Sequence, residues 1–225
     1  MSLREHFSAV IFDCDGTLVD SETLGNSVLV QFVAEHGLRV ELNEALELFR
    51  GAKLADSVAI LEQRLGRPLP GSFIPELRLR MADAFRRQLQ PIDGALELVA
   101  QCRLEKCVAS SGPLDKVRLS LELTGLLRFF EERIFSSYDI KSWKPEPHLF
   151  LHAARQLKAA PADCCVVEDS ILGVQAALAA GMSVVAFQPF GRHPDIPSSV
   201  PSVSHLTEVQ AFLTTATAVP PAATE

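Results

Sequence analysis

Five short apolar runs restrict the folds open to this chain more than any other feature. They are Ala9-Val10-Ile11-Phe12, Cys107-Val108-Ala109, Ile134-Phe135-Ser136, Cys164-Cys165-Val166-Val167 and Ser183-Val184-Val185-Ala186-Phe187. Most are continuous rather than alternating, which is the pattern of a parallel strand covered on both faces. From residue 92 onward they alternate with helical patterns over Ala95–Cys102, Leu114–Leu123, a stretch through Leu149, Phe150 and Leu157, and Ile171–Ala180. Such alternation predicts a mostly parallel sheet with helices on its faces and with its chemistry at the carboxyl ends of the strands.

Between the first and second runs the pattern changes. Apolar residues recur at helical spacing through Leu24–Val33, Leu42–Phe49, Val58–Leu65 and Leu77–Leu89, and no strand interrupts them. Ser21-Glu22 is expected to cap the first of these helices and Gly37 to end it. The expected fold class is therefore α/β: a Rossmann-like parallel-sheet core from residues 1–18 and 92–225, with an all-α unit, 19–91, inserted. A short helix is expected at Leu206–Leu213. The tail 214–225 is Ala, Thr and Pro with little to bury, so disorder is expected there. Gly191-Arg192-His193, in a Pro-rich stretch, reads as a surface loop.

Polar clusters follow four of the runs. Asp13 and Asp15 come after the first, Ser110-Ser111-Gly112 after the second, Lys144 in the loop after the third, and Glu168-Asp169 after the fourth. Asp13 and Asp15 share one side of an extended chain. Gly16 then lets the backbone turn, and Thr17 adds a hydroxyl. Taken singly, each cluster has an ordinary reading: a capped turn, a turn serine, a solvated lysine, a helix cap. Paired carboxylates at a buried strand end are costly unless a cation or a reaction uses them, and four clusters on one sheet edge are hard to assign to chance.

Composition narrows the partners. A net charge of −7 argues against a nucleic-acid surface, so an anionic substrate needs a metal and a few placed cations. Five cysteines, an odd number without C-x-x-C spacing, argue against a disulfide framework or zinc site and fit a reducing cytosol. Cys14 reads as a small buried residue. No apolar run approaches the roughly 18–20 residues of a membrane span, and the first residues lack the apolar segment of a signal peptide.

The string Phe12-Asp13-Cys14-Asp15-Gly16-Thr17-Leu18-Val19-Asp20-Ser21 resembles the signature of the haloacid dehalogenase superfamily, most of whose members are magnesium-dependent phosphatases. Ser110, Trp143-Lys144-Pro145-Glu146-Pro147 and Glu168-Asp169 resemble the family's second, third and fourth motifs, and the resemblance spans roughly residues 7–213. It implies that Asp13 is a nucleophile forming an aspartyl-phosphate and that Asp15 is the general acid and base. Ser110, with Ser111 the competing choice, would hold a phosphoryl oxygen, and Lys144 would offset charge beside the nucleophile. Mg²⁺ would be bound by the Asp13 carboxylate, the Asp15 backbone carbonyl and Asp169, with Glu168 directly or through water.

The helical insert is where this family places a cap over the site. The segment Arg50-Gly51-Ala52-Lys53-Leu54 is expected to reach in, with Lys53 meeting an anionic substrate. Thr17, Ser111 and Gly112 complete the expected substrate contacts. Members of the β-phosphoglucomutase type carry a Ser-Arg pair where this chain has Lys53-Leu54, and a histidine near the position of Gly25. Both departures favour simple hydrolysis.

The resemblance thus implies a cytoplasmic phosphatase of small phosphorylated metabolites, sugar or sugar-acid phosphates such as 6-phosphogluconate. It would act as a monomer or weak homodimer, with no nucleic-acid or membrane partner. A phosphomutase is the alternative. A haloacid dehalogenase needs neither Asp15 as acid nor a metal at Asp169, and a receiver-like signalling module, at about 120 residues, carries no helical insert.

Overall fold

The computed structural model describes residues 7–49 and 53–214, so Arg50-Gly51-Ala52 of the expected cap segment and residues 215–225 of the tail lie outside the described residues. The sheet is centred on β1 (Ala9–Phe12). Its other strands are β2 (Glu105–Ser110), β3 (Ile134–Ser136), β4 (Cys164–Glu168), β5 (Ser183–Phe187) and β6 (Ser202–Val203). Their order is β3-β2-β1-β4-β5-β6, and every neighbouring pair is parallel.

The continuous apolar runs follow from this arrangement. Val10, Phe12, Val108, Val167 and Val185 face a cluster completed by α5 (Ala95–Gln101), α6 (Leu114–Leu123) and α10 (Val209–Thr214). Ala9, Ile11, Ala109, Val166 and Val184 face the opposite layer, built on α8 (His148–Gln156) and α9 (Ile171–Ala179). Alternate residues of one strand serve two cores, so neither face tolerates polarity.

Between β1 and β2 lie α1 (Ser21–Glu35), α2 (Leu42–Phe49), α3 (Leu54–Leu65) and α4 (Phe73–Gln88). They bury a third cluster of their own, including Leu29, Phe32, Val33, Leu61 and Leu77, with Phe32 and Phe73 stacked at 4.6 Å between centroids. The chain enters and leaves this helical unit side by side. Val19 and Pro91 form an antiparallel bridge, flanked by Asp20 N–H to Gln90 O and Ile92 N–H to Leu18 O, both 3.0 Å.

Local differences from the sequence expectations have physical causes. Ser21 is the first residue of α1, not its cap; Asp20 holds the cap position without a side-chain bond, and the Ser21 hydroxyl donates to Asp15 instead. Ser170 does cap α9, accepting from Gly173 N–H at 3.1 Å. The two-residue β6 and the one-turn α7 (Ser137–Ile140) were not anticipated, because neither is long enough to carry a period. Among the described residues no helix is long and apolar enough to cross a membrane.

Candidate active site

Asp13 is the first residue beyond β1, and its N–H donates to Val167 O at 2.9 Å. The β1–β4 register pairs Phe12 with Val167, which sets Asp13 beside Glu168 where the strand order reverses, with β2 on one side of β1 and β4 on the other. That crevice is where open α/β sheets bind ligands. The turn after Asp13 requires Gly16: its φ is +80°, and a Cβ there would lie 2.5 Å from Asp169 Oδ2. Thr17 is fully buried, and its hydroxyl donates to Asp169 Oδ1 at 3.0 Å. It lies outside the cavity lining, so in place of the expected substrate contact it orients Asp169 from behind.

Lys144 reaches this point from the loop after α7. Its Nζ lies 2.5 Å from Asp13 Oδ1 and 2.6 Å from Glu168 Oε2, with side-chain exposures of only 3%, 7% and 1% for Lys144, Asp13 and Glu168. The other Glu168 oxygen accepts from Asp169 N–H, Ser170 N–H and the Ser170 hydroxyl at 3.1, 3.0 and 2.9 Å. Both Glu168 oxygens thus have partners within the protein, and one of them is bonded to Lys144. Gly173 makes room for this carboxylate, since a Cβ there would fall 1.8 Å from Glu168 Oε2.

Burial, and then the charge of Glu168, push the Asp13 carboxyl well above the usual carboxylate range, with Lys144 opposing. Burial works against the charged form of Lys144, but Asp13 and Glu168 outweigh it and hold the ammonium above its ordinary value. Asp13, Glu168 and Asp169 each offer a carboxylate oxygen, and these lie within 4.8 Å of one another. Three buried carboxylates against one buried ammonium leave net negative charge out of water, a costly arrangement until a cation joins it. All-oxygen donors suit a hard divalent ion, so the residues present fit one.

The Asp15 side chain points elsewhere. Its Oδ1 accepts from Lys116 Nζ at 2.5 Å and from the Ser21 hydroxyl, and its Oδ2 accepts from the Ser110 hydroxyl at 3.4 Å. Burial raises the Asp15 pKa, but the Lys116 charge and the bonds from Lys116, Ser21 and Ser110 carry it below the usual range. Ser110 also accepts from Gly112 N–H at 3.0 Å, and the Ser136 hydroxyl donates to Gly112 O at 2.7 Å, which fixes the turn after β2.

Sequence reasoning did not find Lys116 or Ser21. A signal for Lys116 existed: it sits in the first turn of α6, where the helix dipole favours acids over lysine.

A cavity of about 520 Å³ separates the strand ends from α1, α3 and α4. Asp13, Asp15, Ser110, Ser111, Gly112, Lys144, Glu168 and Asp169 line its floor, and Lys53 faces it from the start of α3. The helical side adds Asn26, Ser57, Arg78 and the apolar Leu29, Phe49, Met81 and Phe85. A site of this build can hold a small anionic molecule between a charged floor and a mostly apolar roof.

Residues 7–181 match the haloacid dehalogenase-like hydrolase family. The chain is 34% identical over 204 residues to 6-phosphogluconate phosphatase of Escherichia coli (strain K12), covering 89% of this chain and 92% of that protein. It is 29% identical over 181 residues to hexitol phosphatase A of the same organism, with 78% and 81% covered. The crystal structure of a HAD family hydrolase from Deinococcus radiodurans R1, with bound phosphate and sodium, superposes with a TM-score of 0.77 at 30% identity, over 97% of this chain and 100% of the other.

Proposed function

Because the chain belongs to the haloacid dehalogenase-like hydrolases, we propose that it is a Mg²⁺-dependent phosphatase of small sugar or sugar-acid phosphates that works through an aspartyl-phosphate. The observation that carries this reading is the buried Asp13–Lys144–Glu168 group beside Asp169 at the sheet's reversal point. It joins a nucleophile, an ammonium and an acidic cluster on the floor of one cavity. 6-Phosphogluconate, named in one relative, heads the candidate substrates.

Asp13, the Asp15 carbonyl and Asp169 would hold the ion, which when bound supplies Lewis-acid stabilisation and a template for phosphoryl charge. Lys144 occupies Asp13 Oδ1, so Oδ2 is the oxygen assigned to attack phosphorus. As that bond forms, the ester oxygen departs with a proton from Asp15. Asp15 then takes a proton from water, whose oxygen attacks phosphorus and returns Asp13 as carboxylate. Lys116 and Ser21 keep Asp15 ionised, the form that the second step uses, so proton uptake must precede donation to the ester. Ser110 and Ser111 would bind phosphoryl oxygens. Gly25 lines the cavity where a mutase of this branch has its histidine, which speaks for release of phosphate over its return to sugar.

The test is phosphate release from a panel including 6-phosphogluconate and hexitol phosphates, with and without Mg²⁺, beside Asp13→Asn. Metal-dependent release abolished in the variant is expected. Conversion of β-glucose 1-phosphate to glucose 6-phosphate, without phosphate release from any member, would overturn the hydrolase reading.

A further inference from the structure

We propose that Lys53 and Arg78 form a second anion subsite on the helical side of the cavity, which selects substrates bearing a carboxylate as well as the phosphate. The inference rests on the phosphatase reading and adds what distinguishes one phosphorylated metabolite from another.

Charge pairing sets these two cations apart from the others around the cavity. Five cations line the cavity: Lys53, Arg78, Arg86, Lys116 and Lys144. Lys144 is held by Asp13 and Glu168, Lys116 by Asp15, and Arg86 by Asp83 at 3.0 Å. Among the described residues, Lys53 and Arg78 have no carboxylate within ion-pair distance.

Both rest on aromatic rings from the segment after β3. Lys53 Nζ lies 4.0 Å from the Trp143 ring centroid. Arg78 Cζ lies 5.7 Å from the Tyr138 centroid, and Arg78 Nη2 donates to the Tyr138 hydroxyl at 3.2 Å. The two rings meet edge to face at 5.5 Å, so one aromatic pair carries both cations. A ring face attracts a cation without neutralising it. Arg78 spends one of its five N–H groups on Tyr138, and the rest of its fork suits a carboxylate.

The surroundings explain why such a pair is needed. The cavity also presents carboxylates, and the chain carries a net charge of −7. A substrate with a second negative group is repelled there unless placed cations receive it. Lys53 and Arg78 belong to the helical unit, whereas the phosphate-handling residues belong to the sheet. A phosphorylated sugar acid bound end to end therefore ties one body to the other, which a neutral sugar phosphate does not.

The test compares 6-phosphogluconate with sorbitol 6-phosphate, which have the same carbon count and differ in carboxylate against hydroxymethyl at the far end. Calorimetric affinities are measured with Mg²⁺ on full-length Asp13→Asn protein, alone and combined with Arg78→Gln, Arg78→Lys or Lys53→Gln. Asp13→Asn protein is expected to prefer the acid. Arg78→Gln and Lys53→Gln each weaken the acid by about 10- to 100-fold and the neutral ligand by less than about threefold, as for loss of a charge-assisted hydrogen bond. Arg78→Lys retains part of the preference.

Equal affinities for the two ligands, or equal weakening of both, would overturn the subsite and leave the cations as struts between helices and rings. Phosphate release by the unsubstituted protein is scored separately. Release without discrimination sinks the subsite alone, while discrimination without release sinks the phosphatase reading and leaves the subsite standing.

Discussion

Lys116 Nζ lies 2.5 Å from Asp15 Oδ1, joining the first turn of α6 to the loop after β1 across 101 positions of sequence. Against the burial that raises it, this contact, with the bonds from Ser21 and Ser110, lowers the pKa of Asp15. Its folded pKa is depressed, so the pair's contribution to stability is present above the ordinary carboxylate range and is lost as pH falls through the folded value. For Lys116 the burial penalty is outweighed by Asp15, which raises its pKa; that contribution is present below the ordinary lysine value and disappears as pH rises past the folded one.

Lys116→Met leaves Asp15 buried without its ammonium, so its pKa must rise. The acid limb of kcat against pH is expected to move to higher pH, with kcat near neutrality falling about tenfold as the base form that the second step needs is lost. An unmoved acid limb in a pH series on both proteins would show that Asp15 does not titrate in the rate.

Gly173→Ala tests the support behind Lys144. The new Cβ cannot coexist with Glu168 Oε2 as placed, so the carboxylate must withdraw from Lys144. Phosphate release is expected to drop about 10- to 100-fold, with a destabilisation of about 1–3 kcal/mol for the disturbed buried pair. Assays paired with thermal melts separate the two, and wild-type turnover would mean that Glu168 is dispensable.

Metal removal gives a second handle on the acidic cluster. Chelation is expected to abolish turnover and restoration of Mg²⁺ to recover it. Saturating Mg²⁺ at about 100 times its Kd adds about 2.7 kcal/mol to stability, so the melting temperature should climb with added ion. Asp169→Asn should flatten that rise. If the melting temperature ignores the ion in the wild-type chain, the cluster is not a metal site.

The five cysteines should be silent. All are buried; burial pushes Cys164 up to about 11 and Cys165 up to about 12, and burial, Asp15 and Asp13 push Cys14 up as well. Thiolate, the reactive form, is thus scarce at pH 8. Iodoacetamide is expected to leave the folded protein unlabelled and active, while denaturant exposes all five thiols. Rapid loss of activity on alkylation would contradict this placement of Cys14.

The sheet was legible in the sequence because both of its faces are covered, and doubly buried strands must be apolar at every position, as Ala9–Phe12 is. Asp13, Ser110 and Asp169 were legible as candidates because strand ends are marked positions and these residues sit at or just beyond them, whereas Lys144, past α7, stood out only through the string Trp143-Lys144-Pro145-Glu146-Pro147. Lys116 and Arg78 were not legible. Each lies on a helix whose pattern describes only what it buries, and what it aims across the cavity depends on packing that no local window contains. Ser21 was misread for a related reason: a serine at a helix start caps by default, and only Asp15, six residues back, outbids the backbone for its hydroxyl. The aromatic pair Tyr138 and Trp143 owes its place to the one-turn α7, too short for any periodicity to announce.

The paired crossing at Val19 and Pro91 has a mechanical consequence. Two independent tethers would let the helical unit swivel and slide over the sheet in several directions. Tethers bonded to each other through Asp20–Gln90 and Ile92–Leu18 behave as one ribbon, stiff against shear and soft only to bending across its width. Bending about that ribbon is then the cheapest way for the helical unit to move over the sheet edge.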